Sequence, residues 1–410
     1  MPSPHFLALD ILTPFPVSNP NRDDLNRPKS SIIGGESRQR ISSQCIKSAI
    51  RHSEVMGGAG ILGLKPREVA LSLAHDGEHA DRTALSMRTR ILNEIIREGL
   101  LIRGVSAERA EKMGNCISLA LRGKDQVAKP KSQKKGQKAE KPADGAEEEL
   151  DEEEMKPVLE FFSLHEMHIC TEYAFGRCED AEFVKYVEKG NKTAGNAFQK
   201  TVCKDVADGR LLNENTISVD VALSGRLFAG NKSLSVVGAL SVGHSIAVNP
   251  MEVPDEDYWT GVDDLDTEKG GAGMLGVAQL FSSVYYTPVV VDVRKLVSNL
   301  GGNEQLAMET VSALIEAFCT VGPSGKRTST CSYVCAAWAQ VRKTSRPFTL
   351  ASAFIAPLRE SDMLAEAIRR AEEATASWER VYGETDKLRL NVLGGDVTLA
   401  DLQAFAGNWG

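Results

Sequence analysis

Apolar residues fill most of positions 5–13 and stop at Pro14 and Pro16, the pattern of a short buried strand. Positions 19–40 are polar and contain glycine, which reads as a loop. Ser42 or Ser43 can cap a helix over 44–53, where Ile46, Ala49 and Ile50 share one side. From 54 to 216 the spacing is mainly helical, clearest at 66–73 and 85–101. Positions 216–227 alternate. Ile217, Val219, Val221 and Leu223 face one way and Ser218, Asp220, Ala222 and Ser224 the other, which predicts a half-buried strand. A strand rich in Val and Tyr is expected over 281–293, followed by an amphipathic helix over 303–321 carrying Ala307, Val311, Leu314, Ile315 and Phe318. A strand at 330–341 and helices at 361–382 and 398–409 complete the chain. With insertions set aside the order is β-α-β-β-α-β, an α+β, ferredoxin-like arrangement that also underlies RNA-recognition sheets. The strands lack the aromatic pattern of an ordinary RNA-recognition motif.

Composition narrows this picture. A chain of 410 residues with 42% hydrophobic content can build a core, and its length suggests two to four structural units. The longest apolar stretch, 236–248, carries His244 and several glycines and is shorter than the roughly 18 residues of a membrane helix. The first residues have no basic region and Asp10 interrupts the apolar run, unlike a secretory signal. The eight cysteines form no C-x-x-C pair and read as free thiols of a reducing compartment. The expectation is a soluble cytoplasmic protein with no membrane partner.

The net charge of −8 argues against a nucleic-acid partner, but its distribution reverses the argument. Positions 124–141 hold seven lysines against two acids, and 144–154 hold eight acids and no base. Such a segment cannot bury enough apolar surface to offset its ordering entropy, so 124–156 reads as a charged low-complexity linker, or else as a basic arm that grips phosphates. Positions 22–51 are different. Seven bases (Arg22, Arg27, Lys29, Arg38, Arg40, Lys47, Arg51) stand against Asp23, Asp24 and Glu36, the footprint of an anion or nucleic-acid site.

The strongest local feature runs from Arg38 through Arg40, Ser42, Gln44 and Lys47 to Arg51. Lys47 and Arg51 are helical neighbours at i,i+4, and Gln44 and Ser48 share their face. Hydroxyls, helix N-terminal amides and two cations together suit phosphodiester oxygens, against the plainer alternative of an ordinary exposed helix face. Other motifs carry less. Gly271-Ala272-Gly273-Met274-Leu275-Gly276 has the dinucleotide spacing but follows an acidic stretch, not a strand, and reads as a hairpin or loop. Positions 322–328 imitate a phosphate loop with the first glycine too close, and remain a phosphate-touching candidate. His165 and His168 near Cys170 read as helix surface or core, so no metal is expected there. Asp23 and Asp24 could hold Mg²⁺ beside an RNA phosphate, although such residues more often cap loops. The adjacent Tyr258 and Trp259 sit in a polar context where they could stack on bases, or form a local apolar cluster.

Several motifs together resemble a known family. Asn21-Arg22-Asp23-Asp24-Leu25-Asn26, Ile33-Gly34-Gly35, and Arg40-Ile41-Ser42-Ser43-Gln44 with Lys47 and Arg51 are similar to the backbone subunit (CasC type) of the type I-E CRISPR Cascade complex. So are Val219–Arg226, Trp259–Leu265 and Lys326-Arg327-Thr328, in family order across most of the chain. The resemblance implies a modified ferredoxin-like palm in three parts (1–53, 217–248, 275–410), a helical fingers insertion at 54–216 and a β-hairpin thumb at 249–274. It implies guide-RNA contacts from Arg22, Lys29, Arg40, Ser42, Gln44, Lys47, Arg51, Lys326 and Arg327. Leu227, Trp259, Thr260 and Val262 would wedge beside displaced bases, with the choice between Tyr258 and Trp259 open. The implied partners are a CRISPR guide RNA, the DNA strand paired to it, further copies head to tail, and other Cascade subunits in antiviral defence. No cofactor and no catalytic residue is implied. The alternative is a metal-dependent RNA-cleaving subunit using Asp23 or Asp24.

Overall fold

The computed structural model describes residues 3–57, 65–75, 86–124, 160–228, 231–252, 255–260 and 274–409. The linker at 125–156, Val262 and the glycines at 271 and 273 lie outside them. The chain forms two compact units, Met1–Ala59 with Gly238–Gly410, and Gly60–Val237.

The first unit begins with β1 (Phe6–Ser18), buried on both faces over most of its length. Between positions 19 and 40, where a loop was expected, the chain makes a hairpin of β2 (Ser30–Ile33) and β3 (Glu36–Ile41). Its strands are polar and short, so no apolar period marks them. The turn is Gly34-Gly35, both at positive φ, as a two-residue hairpin demands. A Cβ on Gly34 would come 2.0 Å from the carbonyl oxygen of Ile355, so this glycine also permits a close approach. Helix α1 (Ser43–Arg51) follows, with Ile46 and Ile50 buried.

The second unit holds α2 (Pro66–His75), β4 (Ser86–Thr89), α3 (Leu92–Ile102), α4 (Ala107–Leu121), β5 (Glu160–Ser163), α5 (Leu164–Gly176), α6 (Ala181–Lys189), α7 (Lys192–Ala207) and α8 (Val219–Ser224). Ile95, Ile96, Met113, Ile117, Phe162 and Phe198 are among the residues of its core. The half-buried strand expected at 216–227 is instead a short 3-10 turn (Glu214–Thr216) and helix α8. The alternation misleads because Ser218 and Asp220 on its polar side are buried too: the Ser86 amide donates to Asp220 (2.8 Å) and the Ser86 and Ser218 hydroxyls meet at 3.1 Å. Likewise 85–101 is not one helix. Strand β4 pairs antiparallel with β5 before α3 begins.

The first unit resumes with β6 (Leu240–Val242), β7 (Ser245–Ala247), β8 (Asp255–Thr260), β9 (Met274–Gln279), β10 (Phe281–Asp292), α9 (Val293–Asn299), α10 (Glu304–Thr320), α11 (Arg327–Thr330), β11 (Trp338–Thr344), α12 (Met363–Tyr382), β12 (Asp386–Asn391) and α13 (Leu399–Gly407). The strand expected at 330–341 thus starts only at Trp338, and β12 is an addition to the expected order. The main sheet runs β12-β11-β1-β10-β7-β3-β2, with β6 also on β10, and its pairings are antiparallel.

Strand β1 passes through Pro14 and Pro16 instead of ending there. Leu12 offers its carbonyl to the Ala337 amide (2.9 Å), so even positions of β1 direct their backbone groups toward β11. Pairing with β11 ends at Leu12, and the missing proline amides fall where no strand needs them. One face of the sheet packs Leu12, Tyr286 and Trp338 on Ile368 and Ala371 of α12. On the other, Ile11 and Phe15 share a small cavity lining with Ile41, Ile46 of α1 and Phe318 of α10. Helix α1 is therefore fixed to the sheet by its apolar side. No helix among the described residues is long and apolar enough to cross a membrane.

Candidate nucleic-acid interface

Three segments of the first unit meet at Pro20. A Cβ on Gly325 would lie 2.6 Å from the Pro20 carbonyl oxygen, and the Cys45 thiol of α1 lies 3.9 Å from the same atom. The loop after β1, the N-terminus of α1 and the loop before α11 therefore converge. Between them they carry Arg22, Lys29, Ser42, Gln44, Lys326 and Arg327, and Arg40 at the end of β3 joins them through the Lys29 carbonyl, so that most of the residues singled out from sequence are present.

The N-terminus of α1 is built by side chains from three directions. Ser42 is its N-cap and accepts from the Cys45 amide (3.3 Å), while its own amide donates to Asn21 Oδ1 (2.9 Å). The Ser42 hydroxyl oxygen thus caps the helix, and its O–H can still donate. The Ser43 amide donates to His244 Nδ1 (3.1 Å), and Arg40 Nη1 lies 3.5 Å from the same nitrogen. Because Nδ1 accepts, the imidazole is neutral and its proton sits on Nε2. Partial burial, and then the Arg40 charge, hold its pKa below the usual 6.5. Neither His244 nor Asn21 has a periodicity that marks it; His244 lies in an apolar stretch whose strands are only three residues each.

The cations are not equivalent. Arg22 is exposed and touches Asn26 Oδ1 (3.3 Å). Lys29 is half-buried; its amide donates to the Asn21 carbonyl (3.0 Å) and its own carbonyl accepts from the Arg40 amide (2.8 Å). Arg40 is half-buried with its Nε enclosed and without a hydrogen-bond partner. Lys47 donates to the Leu240 carbonyl (3.2 Å), and desolvation lowers its pKa. Arg51 is the basic residue of the last turn of α1. Gln44 and Ser48 are exposed on the same helix. Arg38, counted with the basic cluster, is fully buried and donates to the carbonyls of Ala247 (2.9 Å) and Phe354 (2.8 Å). It is a structural cation and offers nothing to a ligand.

Lys326 and Arg327 open α11. Lys326 has φ +54°, and the Arg327 guanidinium donates to the Gly322 carbonyl. Asp23 accepts from the amides of Leu25 (2.9 Å) and Arg27 (2.8 Å), so its carboxylate closes a turn. Among the described residues no three His, Cys, Asp or Glu side chains gather as a metal site.

The profile of a family described as CT1975-like protein matches residues 7–407. The chain belongs to that family. Two solved structures share its fold. One, a chain of a "CRISPR RNA-guided surveillance complex, pre-nicking", is 25% identical over 97% of this chain and 95% of that one, with a TM-score of 0.69. The other, from a "CRISPR RNA-guided surveillance complex", is 22% identical over 97% and 94%, with a TM-score of 0.61. No curated protein matches the chain. This CT1975-like chain has the fold of a CRISPR surveillance-complex subunit.

The base-wedging candidates of this CT1975-like chain are less gathered. Leu227 is 88% exposed and follows the buried Arg226, whose guanidinium pairs with Glu166 (2.6 Å) inside the second unit. Trp259 and Thr260 lie in β8, which pairs with β9 as an antiparallel hairpin. Their side chains and Val262 lie outside the described residues. Tyr258 sits opposite Gly276, where a Cβ would come 2.5 Å from its ring, so the ring lies across β9.

His244 yields a pH prediction. Its pKa is lower folded than unfolded, so the unfolded chain takes the proton first. The contribution is full above pH about 6.5 and is lost as pH falls below it. Urea midpoints between pH 7.5 and 5 are expected to decline for the wild type and to decline less for His244→Gln. Parallel curves would remove the capping role.

Proposed function

We propose that this CT1975-like chain is the guide-RNA-binding backbone subunit of a Cascade-type complex of the type I-E kind, and a scaffold rather than an enzyme. The strand order supports a ferredoxin-like palm: β1, α1, β7, β10, α10 and β11 follow β-α-β-β-α-β, and β11-β1-β10-β7 is that motif's neighbour order. On this reading the second unit is the fingers and the β8–β9 hairpin the thumb, bearing Trp259 and Thr260 and, with Leu227 and Val262, spacing the guide–target pairing.

The observation that carries the proposal is the convergence at Pro20 of two loops and a helix N-terminus bearing Arg22, Lys29, Gln44, Lys326 and Arg327, with Arg40 at the adjoining end of β3. Lys47 and Arg51 lie further along the same helix. In a chain with net charge −8 this local basic surface suits phosphates read without regard to sequence. Base pairing of the guide with target DNA then supplies the specificity. Copies would extend head to tail along the RNA through a non-closing interface, beside other Cascade subunits. The Asp23 carboxylate, held by turn amides, favours a structural over a nucleolytic role.

Native mass spectra of the purified chain with single-stranded RNAs of increasing length and Mg²⁺ test this. The expected result is bound copies rising in regular steps on intact RNA. One copy at every length would reduce the protein to a monomeric binder, and shortened RNA would make it a nuclease.

A further inference from the structure

The loop that links α10 to β11 contains a residue that neither charge nor periodicity marks. Tyr333 is 75% exposed, and the Arg327 guanidinium carbon lies 5.2 Å from its ring centroid. The arrangement is imposed by the backbone. Cys331 has φ +50°, and the Tyr333 amide donates to the Cys331 carbonyl (2.9 Å) across the fully buried Ser332. Ser332 is held inward by Thr330 Oγ1 (3.1 Å), so the next side chain is turned out. Arg327 is fixed in turn, donating to the Gly322 carbonyl with its Nε enclosed and without a partner. Val334 packs on Gly322, where a Cβ would lie 2.6 Å from its methyl. Gly322 therefore anchors both the guanidinium and the segment carrying the ring.

Single exposed aromatics are ordinary on protein surfaces. What sets Tyr333 apart is a ring with one face backed by an immobilised cation, the rest open to solvent, on the loop whose Gly325 touches Pro20 in the basic cluster. A flat, polarised platform beside phosphate-binding cations is the requirement for stacking a base of a single strand. We infer that Tyr333, backed by Arg327, is a stacking site for a nucleobase of single-stranded RNA. The inference rests on the RNA-binding reading above and adds to it a contact with a base face. Any base satisfies such a contact, so it adds affinity without sequence preference.

The test uses the full chain and a uridine-rich single-stranded RNA, alongside the same RNA with abasic positions. Tyr333→Ala is expected to weaken binding of the intact RNA on the order of 5- to 100-fold, with Tyr333→Phe and Tyr333→Trp close to wild type. On the abasic RNA wild type and Tyr333→Ala should bind alike. Irradiation of wild-type complexes with 5-iodouridine RNA should yield a cross-link that maps to Tyr333, a readout needing no variant. Wild-type RNA binding with an unaffected Tyr333→Ala and no such cross-link overturns the stacking site and leaves the RNA-binding reading standing. An equal loss on intact and abasic RNA also overturns it, since the ring would then act only by placing Arg327. A wild-type chain that binds no RNA overturns the broader reading, and the stacking site with it. A change in self-association of Tyr333→Ala without RNA, with RNA affinity unchanged, would assign the ring to a protein contact instead.

Discussion

Replacing Lys47 and Arg51 together by Glu is expected to lower the affinity for single-stranded RNA by roughly a hundredfold. Two charge-assisted contacts at about 1.5 kcal/mol each give ~3 kcal/mol, and each 1.4 kcal/mol is a factor of ten. The dependence on salt should flatten as well: two lost phosphate contacts remove about 1.4 from the log–log slope for a single strand. Both effects should be independent of RNA sequence. One feature of the site requires a control. Lys47 donates to the Leu240 carbonyl, so a carboxylate there would set acceptor against acceptor. The Gln pair avoids this conflict while removing both charges, and should show most of the loss with a thermal midpoint near wild type. Affinity and salt slope unchanged in both pairs would remove α1 from the binding surface.

Asp10→Ala is expected to destabilise the first unit by about 3–5 kcal/mol. Asp10 is 1% exposed in the middle of β1 and accepts from Arg342 Nη2 (2.6 Å), the Tyr286 hydroxyl (2.6 Å) and the Leu350 amide (3.4 Å). Arg342 is fully buried, donates to the Phe348 carbonyl (2.8 Å) and lies 3.8 Å over the Phe348 ring. Burial and the neighbouring Asp10 push the Tyr286 hydroxyl pKa well above its usual 10, so it remains a donor. Removing Asp10 strands a guanidinium in the core without its counter-ion. The double change Asp10→Leu with Arg342→Met should recover most of the loss, because a buried pair replaced by apolar groups avoids both desolvation costs. Denaturant midpoints provide the measurement. A single-mutant loss below ~1 kcal/mol would mean that water reaches Arg342 in solution.

The elements with a single dominant period were legible in the sequence. β10, α10 and α12 each bury one continuous face or run, and their expected spans match within a few residues. Among the stretches that were not legible, three show different reasons. The β2–β3 hairpin has no apolar face to announce it. The alternation at 216–227 belongs to a helix because hydrogen bonds bury Ser218 and Asp220 on its polar side. The true partners of β10 in that part of the sheet, β6 and β7, are too short to establish a period. The basic cluster was legible in composition but not in detail: Arg38 turned inward. His244 and Tyr333 enter the site through backbone geometry alone, the first by accepting an amide, the second because a buried serine precedes it.

The two prolines at the far end of β1 set a limit on the sheet. Beyond Leu12, where pairing with β11 has ended, positions 14 and 16 carry no amide, and the Pro16 carbonyl already accepts from the Ser18 hydroxyl (2.8 Å). A strand from another molecule would find only half of each ladder rung there, and sheet extension would stall after a residue or two. In a protein proposed to line up in many copies along one RNA, this stretch of β1 is thereby closed to one wrong way of joining them, by strand addition.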